Sequence, residues 1–208
     1  MKRVFDIVTS LLGIVFLGPL IVGIAAMIKG KDPGPIFYRG ERIGLFGKTF
    51  RIFKFRTMVV NAERIGGPST SDDDSRITRV GKWLRRYKLD ELPQLINVLI
   101  GDMSIVGPRP EVKRYMDMYT EEEKAILTVR PGITDWASIW NSDEGAVLAG
   151  AEDPEKAYME LIRPKKLKLQ MKYVREQSLR VDLKIIFLTI LAMVQPESQA
   201  VREIRNGK

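Results

Sequence analysis

The chain has 208 residues, enough for one domain with a buried core, and its 34 Lys and Arg against 26 Asp and Glu leave a net charge of +8. That balance favours anionic partners: phosphorylated substrates, acidic lipid head groups or nucleic acid. The absence of Cys and His excludes disulfides, thiolate nucleophiles, Ser-His-Asp and Cys-His machinery and most zinc sites, so catalysis must run on carboxylates, Lys, Tyr, Ser or Thr, or on a hard cation held by oxygen.

Residues 7–28 (IVTSLLGIVFLGPLIVGIAAMI) carry no charge and are long enough to cross a bilayer as a helix. A secretory signal would have a shorter apolar stretch and a small-residue cleavage site. A straight spanning helix and a re-entrant helix, which dips into one leaflet and returns, are the two readings left. Gly18-Pro19 stands mid-run, where proline removes one helical hydrogen bond and favours a bend. Both flanks are basic, Lys2 and Arg3 before and Lys29 and Lys31 after, and positive charge marks the cytoplasmic side. Both details favour the re-entrant form, while this segment alone leaves the spanning helix open; counted with the motifs further along the chain, the expectation is a re-entrant anchor at residues 1–31 and a cytosol-facing domain at residues 32–208.

Asp32-Pro33-Gly34-Pro35 closes the anchor with a turn signal. Residues 36–38 and 49–57 read as strands of a short hairpin around Gly44-Leu45-Phe46-Gly47. On the second strand Phe53 and Phe55 share one face, and Lys54 and Arg56 the other, about 7 Å apart. Residues 61–75 are polar and acidic and read as a mobile loop. Ile77, Val80, Leu84 and Tyr87 have helical spacing, with Arg79, Lys82 and Arg86 opposite. Pro93 opens a further helix. Thr120 and Glu123 form a capping box for a short one. Residues 164–177 are expected as a helix with Leu167, Met171 and Val174 on one side and Lys165, Lys168, Lys172 and Arg175 on the other. Residues 185–194 are apolar but too short to span; they are expected to pack on the core or lie in the membrane interface. The fold class expected is α+β, mostly helical.

Without His or Cys, the adjacent carboxylates Asp90 and Glu91, just before the Pro93 helix, lead the candidates for chemistry. Asp is a competent nucleophile toward phosphorus, although acidic residues are also common near helix starts for capping alone. Arg109 stands between Pro108 and Pro110, which stiffen the backbone carrying a guanidinium suited to bidentate phosphate binding. Arg130-Pro131-Gly132 is a second such turn. The basic helices come with no helix-turn-helix, zinc finger or RNP-type motif, so anionic lipid is the expected partner and nucleic acid is not.

In order along the chain stand Lys2-Arg3-x-x-Asp6, Gly34-Pro35-Ile36-Phe37, Lys54-Phe55-Arg56-Thr57-Met58, Leu89-Asp90-Glu91-Leu92-Pro93-Gln94, Gly101-Asp102-Met103-Ser104 with Gly107-Pro108-Arg109-Pro110, Val129-Arg130-Pro131-Gly132-Ile133-Thr134, and Asp182-Leu183-Lys184. Any one of these motifs is weak; the ordered set, covering almost the whole chain, resembles the monotopic phosphoglycosyl transferases, the bacterial sugar transferase family that begins glycan assembly on polyprenyl phosphate. The resemblance implies a UDP-sugar donor, a polyprenyl (undecaprenyl) phosphate acceptor, Mg²⁺ as cofactor, and a place on the cytoplasmic face of the bacterial inner membrane among phospholipids, with a homodimer left open. It implies Asp90 as nucleophile and metal ligand, passing through an aspartyl-phosphosugar intermediate, and Glu91 as its dyad partner. Lys54, Arg56, Arg85, Pro108, Arg109, Arg130 and Asp182 fall at positions expected to hold phosphate and nucleotide. Three departures stand out. The bend is Gly18-Pro19 where the family has Ser-Pro. Asp135-Trp136-Ala137-Ser138-Ile139-Trp140 replaces a Gly- and Gln-bearing segment, which leaves the donor sugar open. Gly40-Glu41 stands where Gln is often found.

Overall fold

The computed structural model describes residues 1–67, 69–195 and 197–205. Pro68 of the expected loop, and Pro196 and residues 206–208 of the expected domain, lie outside the described residues. The chain is mostly helical with a few short strands, as its patterning implies.

The first helix, α1, runs from Lys2 to Lys31 with Pro19 inside it, and is long and apolar enough to cross a membrane by length and composition. At 1.5 Å per residue it is about 45 Å long. Pro19 removes one hydrogen bond but does not end the helix. Only 11% of its most apolar window is buried, yet both ends touch the rest of the chain. At the start, Lys2 Nζ pairs with Asp182 Oδ2 at 2.6 Å, and the Arg3 guanidinium donates to the Val98 and Leu99 carbonyls at 2.5 and 2.8 Å. Asp6 is buried and accepts from Ser104 Oγ and Ile105 N at 2.9 and 3.0 Å. Near the other end, Ile24 and Ile28 pack with Phe55 and Leu84.

The hairpin is two successive ladders rather than one. Strands β1 (Phe37–Tyr38), β2 (Glu41–Ile43), β3 (Thr49–Arg51) and β4 (Lys54–Phe55) pair antiparallel as β2 with β3 and β1 with β4, around a 3₁₀ turn at Leu45–Gly47. The break between β3 and β4 has a cause in Asn97. This fully buried side chain accepts from Phe53 N at 2.7 Å and donates to Arg51 O at 3.0 Å, replacing a strand partner. Asn97 belongs to α3 (Gln94–Ile100), so the same contacts fix Lys54 relative to that helix.

Helix α2 (Arg79–Arg86) is shorter than the apolar spacing implied. Thr78 Oγ1 caps it by accepting from Gly81 N at 3.0 Å; Ile77 falls before the cap in a β-bridge with Met58, and Tyr87 is left exposed after it. Leu84 is its buried anchor. A Cβ added at Gly81 would lie 1.9 Å from the Thr57 carbonyl oxygen. Alanine normally favours a helix interior, but here it must push α2 off the chain leaving β4. Gly81→Ala should therefore lower the thermal midpoint, with a loss of about 1–3 kcal/mol; an unchanged or raised midpoint in a melting experiment contradicts this packing.

After α3, Gly101 turns the chain with φ 99° into β5 (Ser104–Val106). β5 pairs in parallel with β6 (Gly132–Thr134), a ladder not expected from the sequence. Gly132 is required there, since a Cβ would meet Gly107 N at 2.0 Å. Between them lie α4 (Lys113–Met116) and a 3₁₀ turn at Glu123–Thr128, opened by the expected capping box: Thr120 N donates to Glu123 Oε2 and Glu123 N to Thr120 Oγ1, at 2.8 and 3.2 Å.

Six helices complete the described residues: α5 (Trp136–Trp140), α6 (Glu144–Leu148), α7 (Pro154–Ala157), α8 (Arg163–Glu176), α9 (Leu179–Val194) and the short α10 (Gln199–Arg205). A π turn at Tyr158–Ile162 joins α7 to α8; Pro164 has no N–H for the Glu160 carbonyl, and the widened turn absorbs the mismatch. Val106, Trp136, Ile139, Tyr173, Ile185 and Leu188 form a core where β5, α5, α8 and α9 meet. The 185–194 stretch is the latter part of the longer α9, whose Leu183, Phe187, Ile190 and Val194 remain exposed along one side.

Candidate active site

Asp90 and Glu91 lie in a 3₁₀ turn (Leu89–Glu91) between α2 and α3. The turn begins at Lys88, whose φ of 55° is left-handed. That conformation costs a residue with a Cβ about 1 kcal/mol or more, and such positions collect at functional sites. The strain swings both carboxylates into an open trench of about 2100 Å³.

Three elements converge on the dyad there. From β4, Lys54 Nζ lies 3.1 Å from Asp90 Oδ2 and 3.0 Å from Glu91 Oε1. From the Pro108-Pro110 turn, Arg109 grips Glu91 as a two-pronged fork: Nη1 donates to Oε2 at 3.0 Å and Nη2 to Oε1. From α2, Arg85 Nε donates to Thr57 Oγ1 at 3.0 Å, and its terminal nitrogens make no hydrogen bond to the other described residues. The Asp90 side chain is 6% exposed and that of Glu91 15%, whereas Arg109 keeps 36%. Asp90 Oδ1 has no hydrogen-bond donor among the described residues.

The electrostatics separate the roles. Burial alone would push the Glu91 carboxyl up, but the charges and hydrogen bonds of Arg109 and Lys54 outweigh it and hold this group well below the usual carboxylate range. The charge of Glu91 in turn raises Arg109. Burial pulls Arg85 down, and the charge of Asp90 is the largest influence opposing it. The trench thus holds an ionised Glu91 clamped by two cations, with Asp90 beside it paired to Lys54.

Lys54, Arg56, Arg85, Asp90, Glu91 and Arg109 all line the trench. Arg56 is only partly available, because its guanidinium donates to the Asp32 and Pro33 carbonyls at 2.6 and 3.3 Å and ties the chain after α1 to β4. Pro108, Arg130 and Asp182 are not among the residues that line it. The Pro108 carbonyl accepts from Gly132 N at 3.0 Å. Arg130 Nε donates to Gly101 O at 3.0 Å and, with Arg3, covers the end of α3. Asp182 is 1% exposed and is consumed by Lys2 and by Tyr173 Oη at 2.7 Å. These three join elements that are distant in the chain. Thr57, which orients Arg85, was not singled out by sequence reasoning; its place beside Lys54-Phe55-Arg56 was the available signal.

The family model for bacterial sugar transferases matches residues 1–196. The chain belongs to the bacterial sugar transferase family. It is 38% identical over 192 residues to the UDP-N-acetylgalactosamine-undecaprenyl-phosphate N-acetylgalactosaminephosphotransferase of Aeromonas hydrophila, covering 91% of this chain and 42% of that protein. It is 38% identical over 195 residues to the UDP-glucose:undecaprenyl-phosphate glucose-1-phosphate transferase of Escherichia coli (strain K12), covering 91% and 39%. Against the exopolysaccharide production protein ExoY of Sinorhizobium fredii (strain NBRC 101917 / NGR234) it is 36% identical over 207 residues, covering 92% and 84%. The chain thus spans about two fifths of the length of the first two relatives and most of the third.

Within this family the trench acquires a chemical context. No group of three or more Asp or Glu suited to a metal is found among the described residues. Magnesium does not need one, since it commonly binds through one or two carboxylates plus substrate phosphate oxygens. The open Oδ1 of Asp90 fits that manner of binding.

Proposed function

We propose that this protein transfers a phosphosugar from a UDP-sugar to undecaprenyl phosphate, giving undecaprenyl diphosphosugar and UMP, as the first membrane step in assembling a glycoconjugate such as an exopolysaccharide. The observation that carries the reading is the trench itself, with Asp90 and Glu91 at its floor and Lys54, Arg85 and Arg109 around them. The names of the relatives supply the donor and acceptor classes.

A carboxylate oxygen of Asp90 attacks the sugar-linked phosphorus of the donor. The phosphorus–oxygen bond to the nucleotide breaks, and its electron pair leaves with UMP. The phosphate oxygen of the lipid acceptor then attacks the same phosphorus and frees the Asp90 carboxylate. Lys54 holds Asp90 for the attack, and the terminal nitrogens of Arg85 and the exposed part of Arg109 receive charge on the transferring and leaving phosphates. Glu91 keeps Arg109 in place until the substrate enters. Asp90 would hold a magnesium ion, which when bound would supply positive charge against that of the donor diphosphate.

The membrane reading follows from α1. A spanning helix puts its ends on opposite sides of the bilayer, whereas the Lys2, Arg3 and Asp6 end and the Ile24 and Ile28 end of α1 both rest on one body. That supports residues 1–31 as a re-entrant anchor in the inner membrane and 32–208 as the catalytic domain on its cytoplasmic face. The exposed apolar side of α9 suits the interface beside it. Tags at residues 1 and 208 should both be labelled from the cytoplasm; a protected N-terminal tag with an accessible C-terminal one contradicts the re-entrant anchor. The activity is tested by screening UDP-sugars for UMP release with undecaprenyl phosphate and Mg²⁺. One donor should turn over with lipid product formed. Release of free sugar phosphate to water instead would make the protein a phosphatase.

A further inference from the structure

Behind the dyad, an alcove of about 120 Å³ opens beside Lys54 and Arg109, two side chains that line both it and the trench. At liquid volume it has room for about four waters, the scale of one phosphate group. Gln94 lies in its wall. It is the first residue of α3, four positions after Asp90. Gln94 is 1% exposed, and its Nε2 is buried with no hydrogen-bond partner. An unpaired buried donor is costly, and few native ones lack a partner.

The alcove is not an anionic environment. Its two carboxylates, Glu111 and Glu144, lie 2.7 and 3.9 Å from Lys166 Nζ, and Arg42 adds a further cation to the wall. Lys54 engages one carboxylate oxygen of Asp90 and one of Glu91, so the third hydrogen of its ammonium is unspent. Arg109 uses two of its five donors on Glu91. An anion that reached Gln94 would meet unspent donors from both cations at the mouth.

We propose that this alcove is the subsite for the nucleotide-side phosphate of the donor, with Gln94 Nε2 donating to a phosphoryl oxygen of the departing nucleoside monophosphate. The inference rests on the transferase reading and adds to it a place for the leaving group. A neutral donor suits that task, because it steadies the phosphate as charge builds on it without adding another cation to hold the product.

The test uses the full-length protein in detergent, with UMP and orthophosphate as probes. UMP should raise the thermal midpoint of the wild type and inhibit turnover. Gln94→Met, apolar and of equal length, should weaken UMP inhibition about tenfold or more, the loss of one hydrogen bond to a charged group, and leave the KM for undecaprenyl phosphate unchanged. Gln94→Glu should weaken it further, with partial recovery at acid pH as the carboxyl regains a proton to donate. Equal UMP inhibition in wild type and Gln94→Met overturns the subsite, and so does a parallel loss for UMP and lipid acceptor, which marks a merely structural side chain. Should Gln94→Met not fold, Gln94→Asn decides by drawing the amide back one methylene, and an undiminished UMP-dependent rise in its midpoint overturns the proposal. Binding of UMP and orthophosphate needs no turnover. A wild type that binds both through Gln94 but transfers nothing sinks the transferase reading alone; turnover with unaltered UMP inhibition in the variants sinks the subsite alone.

Discussion

Asp90→Asn should abolish both UMP release and lipid product, a loss of about 10⁴-fold or more, as removing a nucleophile does in other enzymes that form covalent intermediates. With donor and Mg²⁺ but no lipid acceptor, the wild type should release about one UMP per active site and stall. Its mass should rise by one phosphosugar, carried on the peptide that contains Asp90. The variant should show neither burst nor adduct, because an amide is a poor nucleophile. It should still fold, since Lys54 keeps Glu91 as a partner at 3.0 Å when the Asp90 charge is gone. Steady UMP release without lipid would mean hydrolysis. UMP that appears only when the lipid is present would replace the covalent step with direct transfer in a ternary complex. Glu91→Gln separates the two carboxylates: an adduct that still forms while lipid product falls assigns Glu91 to the acceptor step, whereas loss of both places it in the first.

Arg109→Ala should reduce turnover by about 10²–10³-fold, the usual effect of removing one preorganised charge from a phosphoryl-transfer or oxyanion site. A second consequence follows from the fork. The Arg109 charge is the largest influence holding the Glu91 carboxyl low against burial. Without it the Glu91 pKa rises, and ionised Glu91 is lost at a higher pH. The acid limb of the pH–rate profile should therefore move upward in Arg109→Ala. Arg109→Lys keeps a charge but loses the bidentate grip, so it should recover part of the rate and move the acid limb less. An Arg109→Ala profile of wild-type shape, merely scaled down, would show that Glu91 ionisation does not limit the reaction. A large fall in thermal midpoint with little change in turnover would assign Arg109 to folding.

Sequence alone determined what depends on neighbours a few positions apart. The uncharged run of α1, the Thr120 and Glu123 capping box, the helix after Pro93 and the one after Pro164 follow from local periodicity and capping, and the structure has them within a few residues of the expected bounds. The ordered motifs were enough to indicate the family, and absence of His and Cys directed attention to Asp90 and Glu91. What sequence spacing could not decide was which charges would meet. Lys54 and Arg56 stand two apart on what reads as one strand face, yet Lys54 reaches the dyad while Arg56 is drawn to the Asp32 and Pro33 carbonyls. Arg130 and Asp182, expected at the site, meet Gly101 and Lys2. The parallel β5–β6 ladder joins segments almost thirty residues apart, and the Asn97 contacts that interrupt the hairpin cross more than forty. These pairings come from burial: each group removed from water must find a partner wherever the packed chain supplies one, and that choice exists only once the helices and strands have come together.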